Sequence, residues 1–472
     1  MDHFTYSSFS MFNLIIKLKL VLLCYFQIQP QVNTGHDLNY TVATTSVQKN
    51  KRDLPNADVA EPRPTNSHDL KISTSNRPLP EKEAAPKKLI NITDFGALGD
   101  GIHDDTEAFQ NAVNAAIINK GRLIIASPSN FYKITDRINI IPVSGQNEVF
   151  LDIEAQGNPQ KQIVYSGKGG AVFYIKGLRF SVISGLKITI ANGSQNVQCF
   201  DLDTDNVSYT TGQITFKNCA ATLGNGINNA GWRLGHVSGG GADLSNIQWE
   251  NCTVFGNYGK FVAGQIGWLI EGANTLQNTW IGGFGAFLDR MYSNVSRVGA
   301  SGTGNGAAYF YGIGASQNNV DYEVANSSTY LISGGRYESG SRFLNVTNSS
   351  DAPSITVTGV SIDDYKPTDG ILFFLDRPGS LLLQNVSISK GTRPAGYTSS
   401  MITCYGGGEG AGIGTLIVDG GSIEATDPFY RYNLNATKWK VYIRGVGKLT
   451  NGIRKQIMED MDTSFKLTPI RK

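Results

Sequence analysis

The sequence predicts an all-β body of short strands stacked in repeating coils. Two observations carry that expectation. An aromatic residue followed by alternating apolar positions recurs at Phe173-Tyr-Ile, Phe200-Asp-Leu, Trp232-Arg-Leu, Trp268-Leu-Ile, Phe287-Leu-Asp, Tyr309-Phe-Tyr, Phe343-Leu-Asn, Phe373-Phe-Leu and Phe429-Tyr-Arg. Most of these anchors return at irregular intervals of roughly 20 to 36 residues, the range expected when each unit must stack on its neighbours to bury a continuous core. The longer last interval leaves room for an unmarked rung. Second, 54 glycines accompany only 17% charged residues among 472 positions, a composition that favours tight turns and short strands over charge-laced helices.

The amino terminus reads as a signal-like segment over residues 1–26. Lys17 and Lys19 precede the apolar run Leu20–Phe26, far below the roughly 20 residues a spanning helix needs. Export or display at the cell surface is expected. The small-x-small cleavage pattern is missing, so a membrane tether through this segment is the alternative. Residues 27–88 are polar, poor in aromatics and punctuated by Pro30, Pro55, Pro62, Pro64, Pro78, Pro80 and Pro86. Such a stretch buries too little apolar surface to offset the entropy of ordering, and it reads as a disordered linker.

Order begins at Leu89. A short strand ends in glycine turns at Gly96, Gly99 and Gly101, after which Asp104 or Asp105 can cap a helix. In that helix Phe109, Ala112, Val113 and Ala116 fall at i, i+3, i+4 and i+7, one apolar stripe able to close the open end of a strand stack. Leu123-Ile-Ile and Phe131-Tyr-Lys-Ile read as the first strands after it. The segment Asp94-Phe-Gly-Ala-Leu-Gly-Asp-Gly, with Asp104-Asp-Thr-Glu-Ala-Phe-Gln after it, resembles the amino-terminal signature of the pectate-lyase-like superfamily. That superfamily includes polygalacturonase relatives, rhamnogalacturonan-active enzymes and tailspike depolymerases. The resemblance implies a right-handed, single-stranded parallel β-helix with a short N-terminal capping α-helix, and it covers about residues 90–140; the repeats extend compatibility over 89–450. Residues 451–472 form a charged C-terminal tail without a clear heptad, and the oligomeric state is left open. Turn and cap roles account for Asp100, Asp104 and Asp105.

A second column lies between the anchors: Ser184-Gly-Leu, Lys217-Asn-Cys, Glu250-Asn-Cys, Ser333-Gly-Gly, Thr358-Gly-Val, Gln384-Asn-Val and Asp419-Gly-Gly. Asn or Gly in one slot is what a repeated left-handed turn requires, and stacked asparagines there can form an amide ladder. Sequons at Asn206, Asn294 and Asn345 read as turn chemistry rather than glycosylation sites. Cys219 and Cys252 stand at equivalent places and should stack as small buried side chains, with a disulfide left open. Lys217 and Glu250 should pair across rungs. The five cysteines include no CxxC and no Cys/His metal spacing, so no zinc site is expected. A formal net charge of +2 gives no field for nucleic acid.

Strand alternation places the chemistry. If each anchor points inward, so do Ile175, Leu202, Leu234, Ile270 and Leu375, and the residues between them point outward. The outward column then holds Tyr174 and Lys176, Asp201 and Asp203, Arg233 and Gly235, Leu269 and Glu271, then Leu288 and Arg290, with Asp205 and His236 at strand edges. Glycoside hydrolysis needs one carboxyl to protonate the leaving oxygen and a second to activate water or attack the sugar. Asp203 and Glu271, two rungs apart, are the expected catalytic pair, with about 10 Å between Cα atoms and Gly235 leaving room between them. Asp205 and His236 are further catalytic candidates; Asp201, Arg233, Arg290 and Lys176 are candidates for substrate binding. No metal or cofactor is expected for a hydrolase. A lyase would use Asp201, Asp203 and Asp205 for Ca²⁺ and Arg233 as base, although Asn206 and Gly212 rule out an EF-hand.

The expected function is an exported polysaccharide-degrading enzyme acting on pectin-like or other acidic glycans, a glycoside hydrolase before a lyase. The alternative is a non-catalytic β-helix that binds glycans as an adhesin or tailspike-like surface protein. Polygalacturonases carry Asn-Thr-Asp, paired Asp-Asp, Gly-His-Gly and Arg-x-Lys motifs. Only echoes exist here, at Asp203-Thr-Asp205, Gly235-His-Val and Asp363-Asp364, so none of those roles carries over.

Overall fold

The computed structural model describes residues 87–449 except 145, 158, 205–209, 236–243, 273–274, 296–305, 326–327, 348–352, 377–378, 390–400, 405–413, 425–429 and 433–438. The signal-like segment, nearly all of the linker and the C-terminal tail lie outside the described residues. The described chain is a right-handed parallel β-helix. Its three sheets hold fourteen, twelve and eleven strands. The first sheet runs from Leu89–Asn91 to Trp439–Arg444, the second from Tyr132–Ile134 to Lys448–Leu449, and the third from Ile138–Ile140 to Tyr430–Tyr432. Each coil visits the three in turn, and each strand pairs in parallel with its counterpart one coil away. No helix among the described residues is long and apolar enough to cross a membrane.

The helix α1 (Thr106–Ile118) closes the N-terminal end, burying Phe109, Ala112, Val113 and Ala116 completely. Asp105 is its N-cap residue but makes no side-chain capping bond, while Asp104 accepts from the Thr106 N–H at 3.0 Å. Asp105 instead accepts from Leu98 N–H at 2.7 Å, and Asp100 from Ile102 and His103 N–H at 2.8 and 3.0 Å. These acids therefore hold the turn and the cap together.

Burial of alternate residues sets the register. In the third sheet Phe173, Phe200, Trp232, Trp268, Tyr292, Tyr322, Leu344, Phe373, Ile402 and Tyr430 are aligned. This corrects three expected anchors, and a fourth cannot be placed. Phe287 occupies a left-handed turn at φ 60°, Tyr309 pairs with Thr279 and Leu331 in the first sheet, Phe343 is buried one position before the register, and Phe429 lies outside the described residues. The unmarked rung is Ile402–Cys404.

Spacing misplaced those anchors because aromatic residues line two walls. Phe216, Trp249, Trp280 and Phe310 stack along the first sheet, with 4.5 Å between the Trp249 and Trp280 centroids and again between Trp280 and Phe310. Edge-to-face contacts such as Trp268 on Trp280, at 6.4 Å, join the two ladders. Each such pair contributes about 0.5–1.5 kcal/mol beyond its area burial.

The turn column behaves as expected: Asn218, Asn251 and Asn385 adopt φ of 52°, 50° and 51°. The amide ladder forms at a different turn, where Asn228 Nδ2 donates to Asn196 Oδ1 at 3.1 Å. Asn294 and Asn345 are buried, and Asn294 Nδ2 donates to the Tyr330 hydroxyl; Asn206 lies outside the described residues. Cys219 and Cys252 are buried free thiols, each donating to a carbonyl of the preceding rung at 3.3 Å. Lys217 and Glu250 pair at 3.4 Å.

Candidate functional site

The third sheet positions the site. Its outward residues align as Tyr174, Asp201, Arg233, Leu269, Ser293, Glu323, Asn345, Phe374 and Thr403. Beside them, Lys176 registers with Asp203 and Glu271 follows Ile270 one rung beyond Leu234. Although these positions face away from the core, Asp201, Asp203, Glu271 and Glu323 are 5%, 2%, 3% and 6% exposed. Charges so withdrawn from water require partners.

Arg233 supplies one set. Its Nε donates to Glu271 Oε2 at 2.6 Å, and its Nη1 lies 3.9 Å from Asp201 Oδ2. One guanidinium thus joins carboxylates from the preceding and the following rung. Asp203 is held differently: Tyr174 donates its hydroxyl to Oδ2 at 2.5 Å, and Thr204 N–H donates to Oδ1 at 2.7 Å. Burial, then the hydrogen bond to Asp203 and its charge, push the Tyr174 phenol well above its usual range, so it remains a donor. The guanidinium of Arg137 sits 4.6 Å over the Tyr174 ring.

A second charged group lies farther along the column. Arg290 sits 2.6 Å from both Glu323 Oε2 and Asp289 Oδ2, and Ser293 Oγ donates to Glu323 Oε2 at 2.7 Å. Burial opposes the Arg290 charge, but Glu323 and Asp289 outweigh it and keep the guanidinium protonated. Between the two groups Leu269, Ile266 and Ala230 form a small apolar cluster separate from the main core.

The structure brings Asp201, Asp203, Arg233 and Glu271 onto one face, with Lys176 at its edge. Arg290 belongs to the second group, two residues upstream of its rung's true anchor, Tyr292. Leu288, expected to face outward, is in the core. Asp205 and His236 lie outside the described residues. Gly235 has another role than the one expected: a Cβ there would meet the Gly272 Cα at 2.4 Å, so the missing side chain admits the next rung's backbone rather than a sugar. Sequence reasoning missed Glu323, Ser293 and Asp289. The signal was present in Tyr322-Glu-Val324, an aromatic, outward, apolar triplet like the others.

No protein-family profile and no curated protein matches the chain. Solved structures do. Tailspike protein 2 of bacteriophage CBA120, in its enzymatically active domain, is 12% identical at a TM-score of 0.42, over 78% of this chain and 47% of that one. The chain therefore spans about half the length of that protein. The A-module of a mannuronan C-5 epimerase from Azotobacter vinelandii is 13% identical at a TM-score of 0.37, over 76% and 99% of the two chains. A surface adhesin of Streptococcus pneumoniae is 12% identical at 0.36, over 77% and 93%. The likeness is one of architecture. For the site, the chain's own residues carry the argument.

Those residues offer acid-base chemistry. Asp203 has a phenol donor, Glu271 a guanidinium, and the two stand on strands separated by one rung. Among the described residues no group of three or more His, Cys, Asp or Glu could hold a metal ion. Asp201 and Asp203 belong to the network above, and Asp205, the third member of the calcium expectation, lies outside the described residues.

Proposed function

We propose that this protein is an exported or surface-displayed β-helix that cleaves polysaccharide by hydrolysis on the outer face of its third sheet. The observation that carries the reading is the set of withdrawn carboxylates, Asp201, Asp203 and Glu271, organised around Arg233 and Tyr174. In this reading Asp203 and Glu271 are the catalytic pair, one carboxyl assisting the leaving oxygen and the other activating water. Their Cα atoms are about 10 Å apart by strand spacing, which suits the roughly 6.5–9.5 Å carboxyl separation of inverting enzymes. Hydrolysis is preferred to elimination because Arg233, the base a lyase would need, is already engaged by Glu271 and Asp201. Acidic glycans of the pectin type are the proposed substrate class, with Lys176 and Arg290 as contacts.

A second reading is a non-catalytic glycan-binding surface protein. It is favoured by one observation: the carboxylates of the column already have partners within the protein. Incubating the full chain with a panel of polysaccharides separates the two. Hydrolysis releases reducing ends without ultraviolet absorbance from unsaturated sugars, and Asp203→Asn and Glu271→Gln each lower release by roughly 10²-fold or more. Unsaturated product would replace hydrolysis by elimination. Absence of release from every polymer, with binding retained, would establish the non-catalytic reading.

A further inference from the structure

A different corner of the molecule carries features that neither the core nor the acid cluster uses. Where the chain passes from the third sheet back to the first, one turn position is left-handed on four successive rungs. Its occupants are Phe180, Gln213, Asn246 and Gln277, with φ of 49°, 55°, 55° and 54°. Three of the four are amides, which suit a solvated turn. The fourth is a phenylalanine with 57% of its surface in water.

Phe180 does not stand alone. The ring of Phe150, 37% exposed on the preceding rung, lies parallel to it, with 6.2 Å between centroids and 9° between planes. The Arg179 guanidinium lies 4.9 Å from the Phe180 centroid, fixed there by Glu148 and by Gln213 Oε1 at 3.2 Å. Below Phe150 opens a cleft of about 420 Å³ lined by Ile117, Lys120, Gln146, Asn147 and Glu148 as well. Hydrogen-bonding groups of both senses thus border a flat apolar step.

We infer that Phe150, Phe180 and the adjoining cleft form a glycan-binding site separate from the acid cluster. The apolar face of a pyranose ring stacks on a phenylalanine, while Lys120, Gln146 and Glu148 meet its hydroxyl groups. A packing role alone does not explain the pair, because rings placed for packing lose their water contact, and Phe180 keeps more than half of its own. The inference rests on the glycan reading above and extends it to a second, non-catalytic contact.

Affinity electrophoresis of the full chain through gels containing polygalacturonate, alginate or dextran tests it. Phe180→Gln installs a residue type this turn already uses on other rungs, so the backbone is retained and an unchanged melting temperature verifies it. Retardation of the unmodified protein by at least one polymer is expected, with about tenfold weaker apparent affinity in Phe180→Gln. Equal retardation of Phe180→Gln and the unmodified protein overturns this site and leaves the acid cluster standing. No retardation by any polymer overturns the site as well, and release of reducing ends then still decides the proposed function independently. Lys120→Gly provides a second reading should Phe180→Gln fail to fold: glycine fits its φ of 49°, weaker retardation is expected, and equal retardation overturns the site.

Discussion

Replacing Asp321 with asparagine should remove much of the protein's pH-dependent stability between about pH 4 and pH 7. Asp321 lies within Val320–Val324, one residue before the anchor Tyr322 and level with the core residues Met291 and Phe343, and is 1% exposed. Its carboxyl accepts from Asn318 Nδ2 at 2.9 Å and from the Tyr365 hydroxyl. Burial lifts its pKa from 3.8 to about 7, with both hydrogen bonds opposing the rise. Tyr322, Tyr337 and Tyr365, the titratable groups around it, are themselves pushed upward by burial and stay neutral across this window. Because the folded pKa exceeds the unfolded one, the folded state binds more protons between the two values. The stabilisation is complete below the unfolded pKa and is lost as pH rises through the folded one. A shift of about 3 units at 1.36 kcal/mol each amounts to about 4 kcal/mol. Urea unfolding of wild type and Asp321→Asn, followed by fluorescence of the buried tryptophans, measures the difference at pH 4.5 and pH 8. The wild type should lose about 3–4 kcal/mol relative to the variant over that interval. A difference that changes by less than about 1 kcal/mol would refute a buried, protonated carboxyl.

Four further substitutions probe the site face and the coil geometry. Arg233→Ala removes the guanidinium held against the buried Glu271 and Asp201 and should cost about 3–5 kcal/mol in the same unfolding assay. Lys217→Ala, which breaks the more exposed pair with Glu250, should cost less than about 1 kcal/mol. Gly283→Ala places a Cβ 2.1 Å from the Cys252 carbonyl oxygen at φ 94°, so a clear drop in melting temperature is expected, whereas Gly359→Ala meets nothing within 4 Å at φ 62° and should lose only the left-handed strain, about 1–2 kcal/mol.

The fold was legible because its constraint is periodic. Every coil must bury the same faces, so Phe200, Trp232 and Trp268 and their partners Leu202, Leu234 and Ile270 announce themselves by alternation alone. The turn slots of Asn218 and Asn251 were legible for the same reason. The alignment failed where a second rule produced the same residue type. Phe287 is aromatic at a turn, and Tyr309 belongs to another sheet; neither hydrophobicity nor spacing separates those uses. That slip gave Arg290 the wrong position within its rung and hid Glu323, since outward residues are found only by counting from a correct anchor. Gly235 was misread for a different reason: the close approach of Gly272 is a contact between residues 37 positions apart, and no local pattern encodes it.

The corrected register also changes what the acid column can be asked to do. Glu271 on Arg233 and Glu323 on Arg290 repeat one motif, a withdrawn carboxylate held by one guanidinium, on either side of the apolar floor formed by Leu269. Such pairs are weak sources of stability, because the cost of removing both ions from water consumes most of their attraction. A column built only for strength would gain more from valine and isoleucine, which the same sheet uses inside. Retaining two ion-paired acids on a face otherwise able to pack apolar side chains is therefore more economically explained by a ligand that exchanges hydrogen bonds with them. In that case substrate hydroxyls would compete for Arg233 and Arg290, and Glu271 would become available to water only when a sugar is bound.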